Sequence, residues 1–244
     1  MPSQLTVLGT CGAWPEAHRA ASGFLLDHDG HRLVLDLGYG TYPRLAALGA
    51  EPDAVVITHE HPDHCADLSA LARARYFAPR RGPRLPLYCP PGVLTRVQAM
   101  EPTEDLHDVF DVHPLLAAGT LQVGPLRLET APLPHHVPHA GVRLTAPGLT
   151  LAYSGDAGPC PALDQLAAGA DLFIAGTTLS GTEADPRLLG PAQAAACAAR
   201  AAARRLLLTH FWPGTDRTRP VAEARAAFPG GEVLAAEEGA VLAL

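Results

Sequence analysis

Thr58-His59-Glu60-His61-Pro62-Asp63-His64 sets four metal-binding side chains, three imidazoles and a carboxylate, within six residues. The whole chain has 12 histidines, so three of them crowded beside one aspartate argue against a merely solvated loop. Upstream, Asp53-Ala54-Val55-Val56-Ile57-Thr58 is a short β-branched run that reads as a buried strand. Downstream, Ala66 to Arg73 has helical spacing, with Leu68 and Leu71 on one face. The cluster therefore belongs on a loop at a strand's carboxyl end, where α/β folds place chemistry. Imidazole is the commonest protein ligand for zinc, and carboxylates bind it too. A tight loop aims His59 and His61 at one ion, and the turn at Pro62 aims Asp63 and His64 at a second. Two ions about 3.5–4 Å apart can share one water and make it a hydroxide at neutral pH.

A hydrophobic share of 48% with 18% charged residues suits a globular chain with one sizeable core. No repeat or linker is visible, so residues 1–244 read as one domain. The net charge of −7 gives no general attraction for nucleic acid. The start, Met1-Pro2-Ser3-Gln4, lacks a basic segment followed by an apolar one, and no run of ~20 apolar residues suggests a membrane span. Cys11, Cys65, Cys89, Cys160 and Cys197 form no C-x-x-C pair and read as reduced thiols, which places the protein in the cytoplasm. Beside the metal loop, Cys65 reads as a small buried filler.

Taken in order, Leu5–Leu8 is a strand and the loop from Trp14-Pro15 to His18-Arg19 is exposed. Gly23–Asp27 and Arg32–Asp36 pair as a hairpin across Asp29-Gly30. A helix runs from about Tyr42 to Leu48. The segment with Arg73, Arg75, Arg80, Arg81 and Arg84 reads either as a solvated connector or as a patch for a phosphate-bearing substrate. Leu85–Tyr88 is a strand, followed by the Pro90-Pro91-Gly92 turn and a helix to Met100. His107 and His113 fall in a stretch that reads as irregular. Further strands are Leu149–Tyr153, Asp171–Ile174 and Arg205–His210, with helices over Pro161–Ala168, Pro191–Ala203 and Arg219–Phe228. Val233–Ala235 and Ala240–Leu244 read as edge strands.

The His-x-His-x-Asp-His run resembles the signature of the metallo-β-lactamase superfamily. Leu8-Gly9-Thr10, Ala13-Trp14-Pro15, Ser22-Gly23 and Leu35-Asp36-Leu37-Gly38 look like the opening of its ribonuclease Z-like branch. The resemblance covers nearly the whole chain, from Leu8 to Leu244. It implies an α/β architecture of the αββα sandwich type and three further ligands. His135, eight residues before Arg143, fits the first, with His136 as the alternative; His136 and His139 then line the site or face solvent. Asp156, after the Leu149–Tyr153 strand, fits a carboxylate bridging two ions, and His210 in Thr209-His210-Phe211 fits the last. On this pattern His59, His61 and His135 hold one divalent ion and Asp63, His64 and His210 the other. Zinc suits these ligands best, though iron or manganese would also fit. Asp36 would pack behind the metal loop.

The family pattern implies hydrolysis by a metal-bridging hydroxide, with Asp63 holding it in line and taking its proton. Ribonuclease Z carries His-Glu-Ala-Thr where this chain has Ala175-Gly176-Thr177-Thr178, so the usual acid pair is missing. His139, His136, Thr178 or a metal-bound water are candidates to replace it. His135 and Asp156 lie about twenty residues apart, room for one hairpin but not for a tRNA-clamping arm. The expected substrate is therefore a small phosphodiester of nucleotide type rather than tRNA. Ester, thioester or lactone hydrolysis on the same metals is the alternative, and an inactive ligand-binding domain the third reading. Relatives suggest a homodimer.

Overall fold

The computed structural model describes residues 3–78, 82–101, 104–115, 118–181 and 183–244. Its first half lays down β1 (Gln4–Gly9), β2 (Gly23–His28), β3 (His31–Leu37), α1 (Thr41–Ala47), β4 (Ala54–Val56), α2 (Pro62–Cys65), α3 (Leu68–Tyr76), β5 (Leu85–Cys89), α4 (Val93–Gln98) and β6 (Phe110–Pro114). The second half adds β7 (Gly119–Val123), β8 (Leu126–Pro132), β9 (Ala140–Ala146), β10 (Leu149–Tyr153), α5 (Pro161–Leu166), β11 (Leu172–Gly176), α6 (Pro191–Arg200), β12 (Arg205–Thr209), α7 (Thr218–Ala227), β13 (Glu232–Ala235) and β14 (Val241–Ala243). Two seven-stranded sheets result, ordered β14-β1-β2-β3-β4-β5-β6 and β13-β12-β11-β10-β9-β8-β7.

Period-two alternation assigns the faces. Leu33 and Leu35 of β3 point into the space between the sheets, where they join Leu151, Ile174 and Leu207 from the other sheet. Val34 points outward beneath α1, α3 and α4, and Leu37 joins it because Asp36, at φ 57°, breaks the alternation. On the second sheet, Phe173, Leu206 and Leu208 point outward beneath α5, α6 and α7. Helices thus cover both outer faces, the αββα sandwich that the resemblance implies. Phe24 and Tyr153 cross between the sheets edge to face, centroids 5.5 Å apart. The Asp29-Gly30 turn has both residues at positive φ, 51° and 81°, as a type I′ hairpin requires.

The expectation of an irregular stretch around His107 and His113 is corrected. Phe110–Pro114 is β6, paired parallel with β5, and β7 and β8 follow it as an antiparallel pair. Both β6 and β7 are sheet edges with mostly uncovered side chains, so their apolar signal is weak. The two closing strands sit at the edges of different sheets, β14 beside β1 and β13 beside β12. Among the described residues, no helix is long and apolar enough to cross a membrane.

Candidate metal centre

The candidate ligands converge because the strands that precede them end at one rim of the sandwich. His59, His61, Asp63 and His64 follow β4, His135 follows β8, Asp156 follows β10 and His210 follows β12. Pro62 starts the single turn of α2, which turns Asp63 and His64 away from His59 and His61. Two groups form, His59-His61-His135 and Asp63-His64-Asp156-His210; within each, the ligand atoms lie within 4.8 Å of one another.

In the first group, His61 Nδ1 stands 3.0 Å from His59 Nε2 and 3.1 Å from His135 Nε2. Nitrogens bound at 2.0–2.1 Å to a tetrahedral ion are about 3.3 Å apart, close to these values. In the second, His210 Nε2 lies 3.1 Å from Asp63 Oδ2 and 3.0 Å from Asp156 Oδ2. His64 Nε2 is 3.6 Å from Asp63 Oδ2 and from Asp156 Oδ1, beyond hydrogen-bonding reach. Both His64 Nε2 and Asp156 Oδ1 are buried with no partner in the protein. Buried polar atoms without partners are rare, and a divalent ion between them would supply one. The donors thus fit metal, and both oxygens of Asp156 face this four-residue group.

Asp36 ends β3 behind the cluster, wholly buried, and ties the groups together. It accepts from Thr58 N at 2.7 Å, Thr58 Oγ1 at 3.0 Å, Tyr153 OH at 2.7 Å and His64 Nδ1 at 2.7 Å. Since Thr58 Oγ1 spends its proton on Asp36, it accepts from His59 Nδ1, 3.0 Å away. One carboxylate therefore sets the tautomer of a ligand in each group, leaving both Nε2 lone pairs aimed inward. Asp36 and His210 both adopt the left-handed region, φ 57° and 59°. This conformation costs about 1 kcal/mol or more for a residue with a Cβ. Gly12 gives His210 its room, because a Cβ there would lie 2.6 Å from the imidazole.

The electrostatics differ between the groups. Burial holds the His59, His61 and His135 imidazoles below the ordinary histidine range, His135 at about 4, so their lone pairs are free for metal. Burial also works against charge on His64, but Asp36, Asp156 and Asp63 outweigh it and raise its affinity for a proton. On His210, burial is outweighed by Asp156 and Asp63, which push it up to about 10. Burial favours the neutral acid at Asp63, yet His64, His210 and the Ala13 amide at 2.7 Å hold that carboxyl far below the usual range. The four-residue group is thus built to hold positive charge.

The structure sorts the candidate proton donors. Thr178 Oγ1 lies 2.9 Å from His210 Nδ1 and fixes that ring, a role sequence reasoning missed; a polar side chain next to a strand end carries no signal for it. His139 is 1% exposed, its ring centroid 5.1 Å from that of His59, with neither nitrogen partnered. His136 stays at the rim, 38% exposed at its side chain, 3.9 Å from Asp185 and with its ring 5.2 Å from that of His135. Where it is described, the basic stretch is divided and paired: Arg73 and Arg75 lie on α3, Arg73 pairs with Glu101 and Glu104, Arg75 with Glu51 and Arg84 with Asp111. Arg80 and Arg81 lie outside the described residues. Cys65 is buried, and its thiol is pushed up to about 12 by burial, as an inert filler should be.

Residues 18–211 match the family described as "Beta-lactamase superfamily domain". An uncharacterized protein of Mycobacterium tuberculosis is 36% identical over 242 residues, 93% of this chain and 87% of its own. Ribonuclease Z of Mycobacterium bovis is 31% identical over 70% of this chain and 69% of its own. The crystal structure of the metallo-beta-lactamase fold protein YhfI from Bacillus subtilis superposes with a TM-score of 0.88 at 26% identity, covering 99% of this chain and 98% of that one. With the family match spanning most of the chain and the same two-sheet fold beneath the site, this protein belongs to the metallo-β-lactamase superfamily of hydrolases, on its ribonuclease Z-like branch.

Proposed function

We propose that the protein is a dinuclear metal-dependent phosphodiesterase acting on a small nucleotide-like substrate. The observation that carries this reading is that the chain gathers two separate candidate ligand groups, and that in the second the buried His64 Nε2 and Asp156 Oδ1 have no protein partner. His59, His61 and His135 would hold one ion; Asp63, His64 and His210 the other, with Asp156 between them. Two divalent ions, zinc for preference with this donor set, would activate water and neutralise charge on the phosphoryl oxygens.

The chain's own residues do the rest. Asp63 stays anionic, clamped by the Ala13 amide and His210, and orients the attacking water through its carboxylate. Thr178 and Asp36 keep the ligand imidazoles in place. With Thr178 bound to His210 and His139 sealed in, His136 at the rim is the side chain left among these candidates to protonate the leaving oxygen, beside water itself. The β9–β10 hairpin occupies the sequence between His135 and Asp156, so no clamping arm stands there to hold a tRNA. That short connection and the net charge of −7 support a small substrate.

The test is metal content by plasma mass spectrometry beside hydrolysis of bis(p-nitrophenyl) phosphate on one sample. Two ions per chain with turnover support the reading. Two ions with turnover only of lactones or thioesters would favour acyl hydrolysis, which Ala175-Gly176 in place of an acid pair makes the second reading. Ligand binding without any turnover would point to a silent domain, a reading disfavoured by the complete ligand set.

A further inference from the structure

The chain has two tryptophans, and they meet. Trp14 and Trp212 stand with ring centroids 5.0 Å apart and planes inclined by 58°. In spite of that contact, Trp14 is 50% and Trp212 42% exposed. Each is followed by a proline, Pro15 and Pro213, which restricts the backbone that carries the ring. Their loops are laced together. Gly12 N donates to Phe211 O at 2.9 Å, Phe211 N donates to Thr10 O at 3.0 Å, and Gly214 N donates to the Glu16 carboxylate. The pair is therefore a fixed aromatic surface facing solvent.

Its place is as informative as its exposure. Trp14 follows Ala13, whose amide holds Asp63 Oδ2 at 2.7 Å. Trp212 lies two residues beyond His210, whose Nε2 stands 3.0 Å from Asp156 Oδ2. Both rings thus rise from backbone that also shapes the four-residue ligand group. A rigid, uncovered aromatic pair beside a phosphoryl-binding centre suits one part of a nucleotide: every base has a π-face, and stacking on an aromatic side chain strengthens binding about 5- to 150-fold per base.

We propose that Trp14 and Trp212 form the subsite that stacks the nucleobase of the substrate while its phosphodiester reaches the metal centre. This inference rests on the phosphodiesterase reading and narrows its substrates to base-bearing ones. Because these are the only tryptophans in the chain, fluorescence excited selectively at tryptophan, at wavelengths beyond tyrosine absorption, reports the subsite alone.

The metal-loaded protein is titrated with adenosine monophosphate and, separately, with ribose 5-phosphate, which lacks the base. Saturable quenching by the first and none by the second is expected. W14A and W212A, each read through the remaining tryptophan, should raise the dissociation constant about tenfold or more with metal content retained. W14F should recover most of the loss. Equal response to both ligands, or none to the nucleotide, overturns the inference; hydrolysis of bis(p-nitrophenyl) phosphate by the same wild-type sample then tells whether the phosphodiesterase reading survives. A blue-shifted emission that grows with protein concentration, together with a doubled mass, would place the pair in a contact between two copies and overturn it as well. The wild-type titrations decide the matter even if a variant fails to fold.

Discussion

Replacing Asp36 with asparagine perturbs both metal groups through one buried residue. Asp36 accepts four hydrogen bonds, one on Oδ1 from Thr58 N and three on Oδ2 from Thr58 Oγ1, Tyr153 OH and His64 Nδ1. In its better orientation the asparagine oxygen keeps the three on the Oδ2 side, and its amide then faces the Thr58 N–H, donor against donor. One charge-assisted bond is lost, at about 2 kcal/mol, and three weaken from charged to neutral acceptance, at somewhat under 1 kcal/mol each. The sum, about 4 kcal/mol, is a large part of the roughly 5–15 kcal/mol that holds a domain together. The ligands feel it too: His64 is held directly, and His59 through Thr58. Losing such outer partners weakens metal binding about 10–100-fold. Competition with a chromogenic chelator measures that loss in the native protein, and urea unfolding of the metal-free form measures the stability. T58V is the companion, since it cuts the relay to His59 while leaving His64 on Asp36. It should weaken one of the two binding events and D36N both. If D36N binds both ions with wild-type affinity, Asp36 does not orient the ligands and the argument fails.

Gly12→Ala should displace His210, since the added Cβ would sit 2.6 Å from its ring; loss of about one ion per chain by mass spectrometry is expected, and full occupancy would refute the steric argument. Replacing His136 with alanine should slow cleavage of substrates with alkoxide leaving groups by about 100-fold or more, and p-nitrophenolate release far less, because only the former needs a proton; equal slowing of both would exclude His136 as the acid. The metal-free protein should be most stable near pH 6.5. Below that, the unfolded chain takes a proton that native His135 refuses until about pH 4, so stability falls on acidification. Above it, native His210 keeps a proton that the unfolded chain has released, so its contribution, full below pH 6.5, is lost as pH rises through about 10. Thermal melts across pH should show H210N flattening the alkaline limb and H135A the acidic limb.

Most of the candidate ligands are legible because the residues that match the family pattern fall just past strands strong enough to read alone. Ala54–Val56, Leu149–Tyr153 and Arg205–Thr209 are buried apolar runs, and a polar residue just past such a run falls at the sheet's rim. His135 was placed differently, by its distance from Arg143, and the structure sets its Nε2 3.1 Å from His61 Nδ1. What escaped was whatever depends on pairing. Edge strands β6 and β7 bury little, so their sequences carry weak patterns. In β8, by contrast, Leu126 and Leu128 alternate with exposed Arg127, a pattern present in the sequence itself.

Partners brought together by tertiary structure are harder still. Nothing local marks Thr178 as the residue that sets His210, or Tyr153 as a donor to Asp36. The Trp-Pro pairs at 14–15 and 212–213 could be seen as words in the sequence, but their meeting needs β1 and β12 to bring their ends together. That closure is made by Gly12 N on Phe211 O and Phe211 N on Thr10 O, two backbone bonds that any sequence of the right length could form. The sandwich therefore specifies the metal centre twice. Local sequence places each ligand at a strand end. Contacts made in the folded chain, His64 Nδ1 on Asp36, His59 Nδ1 on Thr58 and His210 Nδ1 on Thr178, decide which lone pair three of the imidazoles present. Substitutions of the second kind should leave the fold's strands intact while altering metal affinity, which is why Asp36 and Gly12, rather than the ligands themselves, discriminate between a centre that is merely present and one that is oriented.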